Sequence, residues 1–188
     1  MQFRPRLRLL LMAALSLSVS AGCDQRSNQL NPAAAAASPP PPASRQYHLN
    51  RAQPKLATVK LWLGTQELDA EVALTLTQIS TGMMFRTNQL ENEAMLFVFA
   101  EPQPREFYMK NCVLSLSAAY IDSEGVILEI VSLQAGVEKP VPSKSDKVQF
   151  VLETRPGWFE RNKVPAGSVV RTDRGSLREA LARHAQLR

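Results

Sequence analysis

The chain has 188 residues, 45% apolar and 21% charged, which suits one modest globular domain once its ends are set aside. Its formal charge of +5 sits at the ends: residues 55–170 are net −3, with 11 Lys and Arg against 14 Asp and Glu, while residues 171–188 are net +3. A folded part without clustered positive charge cannot displace counterions, so nucleic acid is excluded as a partner.

Arg4, Arg6 and Arg8 precede an apolar run over 9–19, then Ser20-Ala21-Gly22 and Cys23. This is the pattern of a secretory signal over residues 1–22, and the run is too short to cross a bilayer as a ~20-residue helix. Ser20-Ala21-Gly22-Cys23 resembles the bacterial lipobox, in which the cysteine is diacylated and becomes the first residue of the mature protein. The resemblance implies a membrane anchor through Cys23, and Asp24 then favours the inner membrane, facing the periplasm. Val19-Ser20-Ala21 also fits an ordinary signal-peptidase site, which would leave Cys23 a free thiol. Residues 23–54 follow as a flexible linker, with alanines at 33–37 and prolines at 39–42 and little to bury. Its prolines favour an extended helix at ~3.1 Å per residue, a spacer that holds a domain off a surface.

From residue 55 the pattern turns to strands. Val59, Leu61 and Leu63 alternate with Lys60 and Trp62, and alternation resumes from Leu68 through Leu76 after Gly64-Thr65, a tight hairpin turn. The unbroken apolar run 95–99 fits a strand covered on both faces. Further strands are expected at 106–111, 118–122, 126–133, 148–153 and 168–171, with Ser123-Glu124-Gly125 closing a second hairpin. Arg155-Pro156-Gly157-Trp158 carries the type II turn signal, and one helical turn is expected over 158–162. Ser176-Leu177-Arg178-Glu179 is a capping box that opens a basic helical tail over 172–188, with His184 on its rim. The expected fold is mainly β: a small single-domain barrel- or sandwich-like β fold over 55–171 with one or two short helices and a C-terminal helix.

Several blocks in order carry a family resemblance: Thr81-Gly82-Met83-Met84-Phe85-Arg86, Glu93 through Phe99, Phe107-Tyr108-Met109-Lys110-Asn111, Tyr120-Ile121-Asp122 and Pro156-Gly157-Trp158. With the turn and strand over 164–170, residues 56–171 resemble the prokaryotic domain of unknown function 192 (DUF192). The resemblance implies a compact, mostly β domain, often exported, with no established activity. Met83 stands where the family usually has Leu, and Ala94 where it has Gly. The segment from Cys112 to Ser117 replaces Thr-X-Ile-Pro-Leu-Asp, so Ser117 removes a carboxylate.

The two histidines, His48 and His184, lie outside 55–170, and Cys112 is the one cysteine within it. No Ser-His-Asp or Cys-His group and no Cys/His zinc site can be built there, and no cofactor or metal is expected. Arg86 and Lys110 each follow an apolar segment. They either face a cleft with Asn111 and Asp122, where a planar guanidinium and a point charge meet an anion, or they form a structural network with Arg86 paired to Asp122 or Glu93. Met83, Met84, Met95 and Met109 read as core, and Cys112 as a small buried side chain. Asp122 and Glu124 stop short of a calcium loop. The expected function is that of an exported lipoprotein whose domain binds a small anionic molecule, a glycan or an envelope protein. Against it stand a hydrolase-like enzyme using Lys/carboxylate chemistry and a purely structural envelope module.

Overall fold

Alternation decides the first hairpin. In the computed structural model, which describes residues 46–186 and side chains through 181, Val59, Leu61 and Leu63 are buried while Thr58 and Lys60 are exposed. The signal segment, Cys23, Asp24 and most of the linker lie outside the described residues, as does the His184 side chain.

The elements run β1 (Thr58–Leu63), β2 (Gln66–Ala73), α1 (Leu76–Thr81), β3 (Glu93–Val98), β4 (Glu106–Phe107), β5 (Leu116–Ile121) and β6 (Ile127–Leu133). Then come β7 (Val141–Pro142), β8 (Phe150–Thr154), α2 (Trp158–Arg161), β9 (Val170–Thr172), β10 (Gly175–Ser176) and α3 (Leu177–Gln186). Eight strands form one sheet, ordered β10-β9-β1-β2-β3-β8-β5-β6 and curled into a half-barrel. β4 and β7 make a separate two-stranded ribbon. The mainly β expectation, with two short helices and a C-terminal one, holds.

Two edges of the curl meet at one end. Val126 bridges Val169, and Val170 N donates to the carbonyl of Gly125 at 2.8 Å. Gly125 is required there: its φ is +84°, and a Cβ would lie 2.8 Å from the Val170 carbonyl oxygen. The hollow of the curl is filled by Leu61, Leu68, Leu96 and Leu152, with Trp158, Phe159 and Leu177 closing it from α2 and α3. The Ser176 capping box forms, its hydroxyl accepting from Glu179 N while the Glu179 carboxylate accepts from Ser176 N. The turn before α2 is as expected, with Trp158 N donating to the Arg155 carbonyl at 3.1 Å and Gly157 at φ +69°.

Two expected strands are shorter than their patterns. Alternation through Leu76 predicts a continuous strand, yet β2 ends at Ala73 and α1 begins at Leu76. Thr75 caps the helix: its hydroxyl accepts from Gln78 N, and the Gln78 side-chain oxygen accepts from Thr75 N. This reciprocal box outcompetes the strand because it satisfies two helix-end donors at once. The strand expected at 106–111 is confined to Glu106–Phe107. Cys112 N turns back to the Met109 carbonyl, and Asn111 takes a left-handed φ of +56°.

Candidate functional site

The outer face of the sheet is roofed by loops. Ala70 and Val72 of β2 point into the hollow, so Glu71 and Ala73 point to the other face. Register then places Glu71, Met95, Glu153 and Ala118 in one row across β2, β3, β8 and β5. The next row holds Ala73, Phe97, Val151 and Tyr120. Over both rows lie α1, the loop 82–92 and the loop 108–115.

Arg86 descends from the first of these loops onto Glu71. Its two terminal nitrogens meet the two carboxylate oxygens at 2.5 and 2.8 Å, and Glu71 Oε2 also accepts from Leu56 N at 2.7 Å. The bidentate pair is largely buried, its side chains 18% and 9% exposed. Arg86 is therefore part of a structural network, with Glu71 as its partner in place of Asp122 or Glu93. Sequence inspection passes over Glu71 because the pairing needs the β2 register and the path of the loop after α1.

Lys110 and Asn111 lie on the second loop, which is stitched to the first: Phe85 N donates to the Asn111 carbonyl at 2.8 Å. Phe85 and Asn111 both have positive φ, +63° and +56°. Asn tolerates that conformation, whereas for Phe it is strained. Lys110 makes no ion pair or hydrogen bond among the described residues, so no Lys/carboxylate pair is assembled around it. Asp122 sits apart, in the β5–β6 turn, where its Oδ1 accepts from the backbone N–H of Glu124 and Val126. The structure thus joins Arg86, Lys110 and Asn111 through two bonded loops and commits Asp122 to a hairpin.

Between α1 and these loops is a pocket of about 150 Å³. Met83, Met84, Phe97 and Phe107 supply its apolar wall, Ile79 and Ser80 its rim, and Tyr108 and Cys112 its far side. Gly82 shapes it: at φ +46° and ψ −130° the chain adopts a conformation closed to side chains, and a Cβ would stand 3.2 Å from the Phe97 ring. Residues expected in the linker are tied to the same wall. Leu49 N donates to Thr81 Oγ1, and the buried Gln53 amide donates to the carbonyls of Gln78 and Gly82.

The sheet beneath these loops carries an unusual acid, outside the pocket lining. Glu153 is 4% exposed, and its Oε2 has no hydrogen-bond partner. Burial pushes its carboxyl up to about 8, so the group is mostly protonated at neutral pH. Cys112 is pushed up to about 12 by burial first and by the nearby Glu153 second, which makes it an inert thiol rather than a nucleophile. Tyr120, raised mainly by burial, donates its hydroxyl to the Val141 carbonyl at 2.6 Å and so pins the β4–β7 ribbon to the sheet. Sequence reading passes over Glu153 because it closes the expected strand at 148–153, and only the sheet order buries that strand on both faces.

A curled half-barrel with a loop-roofed face, a small apolar pocket and a buried neutral acid defines a small single β domain. Residues 59–172 match the DUF192 family, described as "Uncharacterized ACR", and the chain belongs to it. The crystal structure of "a putative transcription regulator" from Sinorhizobium meliloti is similar at 28% identity and TM-score 0.61, covering 64% of this chain and 98% of that one. A protein of unknown function from Novosphingobium aromaticivorans is similar at 27% identity and TM-score 0.58, covering 61% and 85%. No curated protein matches the sequence.

Proposed function

We propose that the protein is a lipoprotein anchored through Cys23, facing the periplasm from the inner membrane, whose β domain binds a small molecule with an apolar body and an anionic head. The observation that carries the reading is the pocket beside Gly82, an apolar recess of about 150 Å³, one residue beyond whose lining Met84 the chain passes through the strained backbone of Phe85. Strain of this kind persists where the surroundings enforce it, and it clusters at ligand sites. The size suits a ring or a short acyl chain. With Arg86 neutralised by Glu71, the charge offered to an anionic head is Lys110, between the lining residues Tyr108 and Cys112. Regulation of transcription, the role named for the Sinorhizobium protein, finds no support in a domain segment of net −3.

Calorimetric titration of the full chain with octanoate tests this. Octanoate should bind, and Ile79→Trp, which fills the rim, should weaken it at least tenfold. Lys110→Gln should weaken octanoate but not octanol. Equal binding by the Ile79→Trp variant, or none by the wild type, rejects the pocket as a ligand site.

A further inference from the structure

The loop that bounds the apolar pocket has a second recess on its other flank. It holds about 180 Å³, room for on the order of six waters, and is lined by Asn88, Gln89, Leu114, Ser115, Arg155 and Pro156. Its lining is more polar than that of the first.

Gln89 is 6% exposed, and its side-chain oxygen has no hydrogen-bond partner. The amide cannot be turned over to cure this, because its nitrogen donates to the Glu93 carbonyl at 3.1 Å and an oxygen there would face another oxygen. A buried acceptor left unmet is destabilising, and a donor brought by a ligand would relieve it. Ser115 Oγ accepts from Ala135 N, so its own hydrogen is available to donate outward. Arg155 is weakly held: its Nε is 3.7 Å from Glu91, whose closer partner is Arg161 at 2.8 Å. Its planar fork is therefore available to a carboxylate. Leu114 and Pro156 add apolar surface beside these groups.

From this set we infer a second binding site, specific for a small polyhydroxylated carboxylate of the sugar-acid class. The carboxylate meets Arg155, a hydroxyl donates to Gln89, and a second oxygen accepts from Ser115. The inference does not rest on the apolar pocket.

The test is calorimetric titration of the full chain with D-glucuronate, D-glucose and acetate. Glucuronate should bind at least tenfold more tightly than either of the others. Arg155→Met should weaken it at least tenfold and Gln89→Met at least fivefold, while Ile79→Trp leaves it unchanged. Arg155→Lys, which keeps the charge and loses the fork, should fall between wild type and Arg155→Met, and a thermal melt of each variant confirms folding. Glucuronate that fails to bind at millimolar concentration, or binds folded Arg155→Met and Gln89→Met as it does wild type, overturns the site. Acetate binding as tightly as glucuronate reduces it to a plain anion site and overturns the sugar-acid assignment. Loss of octanoate binding with glucuronate binding intact would reject the apolar pocket alone.

Discussion

Arg86 and Glu153 treat burial in opposite ways. Arg86 is compensated by a bidentate partner, so its removal leaves Glu71 as an unpaired buried charge still bonded to Leu56 N. Arg86→Met should cost about 3–5 kcal/mol of stability, and adding Glu71→Gln should recover part of it, as measured by denaturant midpoints. Glu153 has no partner for its Oε2 among the described residues and keeps its proton instead. Its carboxyl binds a proton more tightly in the folded chain than in the unfolded one, where the ordinary value near 4.5 applies. Stability contributed by this group therefore falls as pH rises from about 4.5 to about 8 and is level above that. Melting curves at pH 5 and pH 9 should show wild type losing on the order of 3–5 kcal/mol from this group, and Glu153→Gln losing none of that share. The two residues also differ in legibility. Arg86 stands out in the sequence as a charge behind Met-Met-Phe, but its partner is set by strand register. Glu153 does not stand out, because it lies beside Thr154 and Arg155 at the end of its strand and only the sheet order buries it.

Among elements, α1 and the residue that ends it set the shape of the pocket. The Thr75–Gln78 capping box was present in the sequence as Thr-x-x-Gln, but Leu74 and Leu76 extend an alternation that favours a strand. A local rule with period two hides a cap that acts over four residues. Gly82 then carries the chain out of the helix through a conformation without room for Cβ. Gly82→Ala should destabilise by about 1–3 kcal/mol through backbone strain and should press on the Phe97 ring, detectable as a lowered melting temperature. The hairpins at Gly64 and Gly125 were legible because glycine and short polar residues mark tight turns directly. The early end of the strand expected at 106–111 was not, because its partner β7 is a non-local segment that offers only Val141 and Pro142 to pair with.

At the scale of the molecule, fold class followed from many short alternating segments, while strand order did not. β1–β2 and β5–β6 are neighbours in sequence and in space; β3 takes β2 on one side in parallel and β8 on the other. That non-local choice decides which residues share the roofed face, and with it the site. Its consequence reaches back to synthesis. β3 leaves the ribosome about fifty residues before β8, an interval of roughly 3–10 s at 5–20 residues per second. Throughout it β3 presents an apolar edge with half its pairing missing, the condition under which strands join the wrong neighbour. Until β8 arrives, the β5–β6 hairpin has no sheet to enter, Glu153 has not been made, and the recess lined by Arg155 and Pro156 cannot form. The last quarter of the chain joins two hairpins into one sheet.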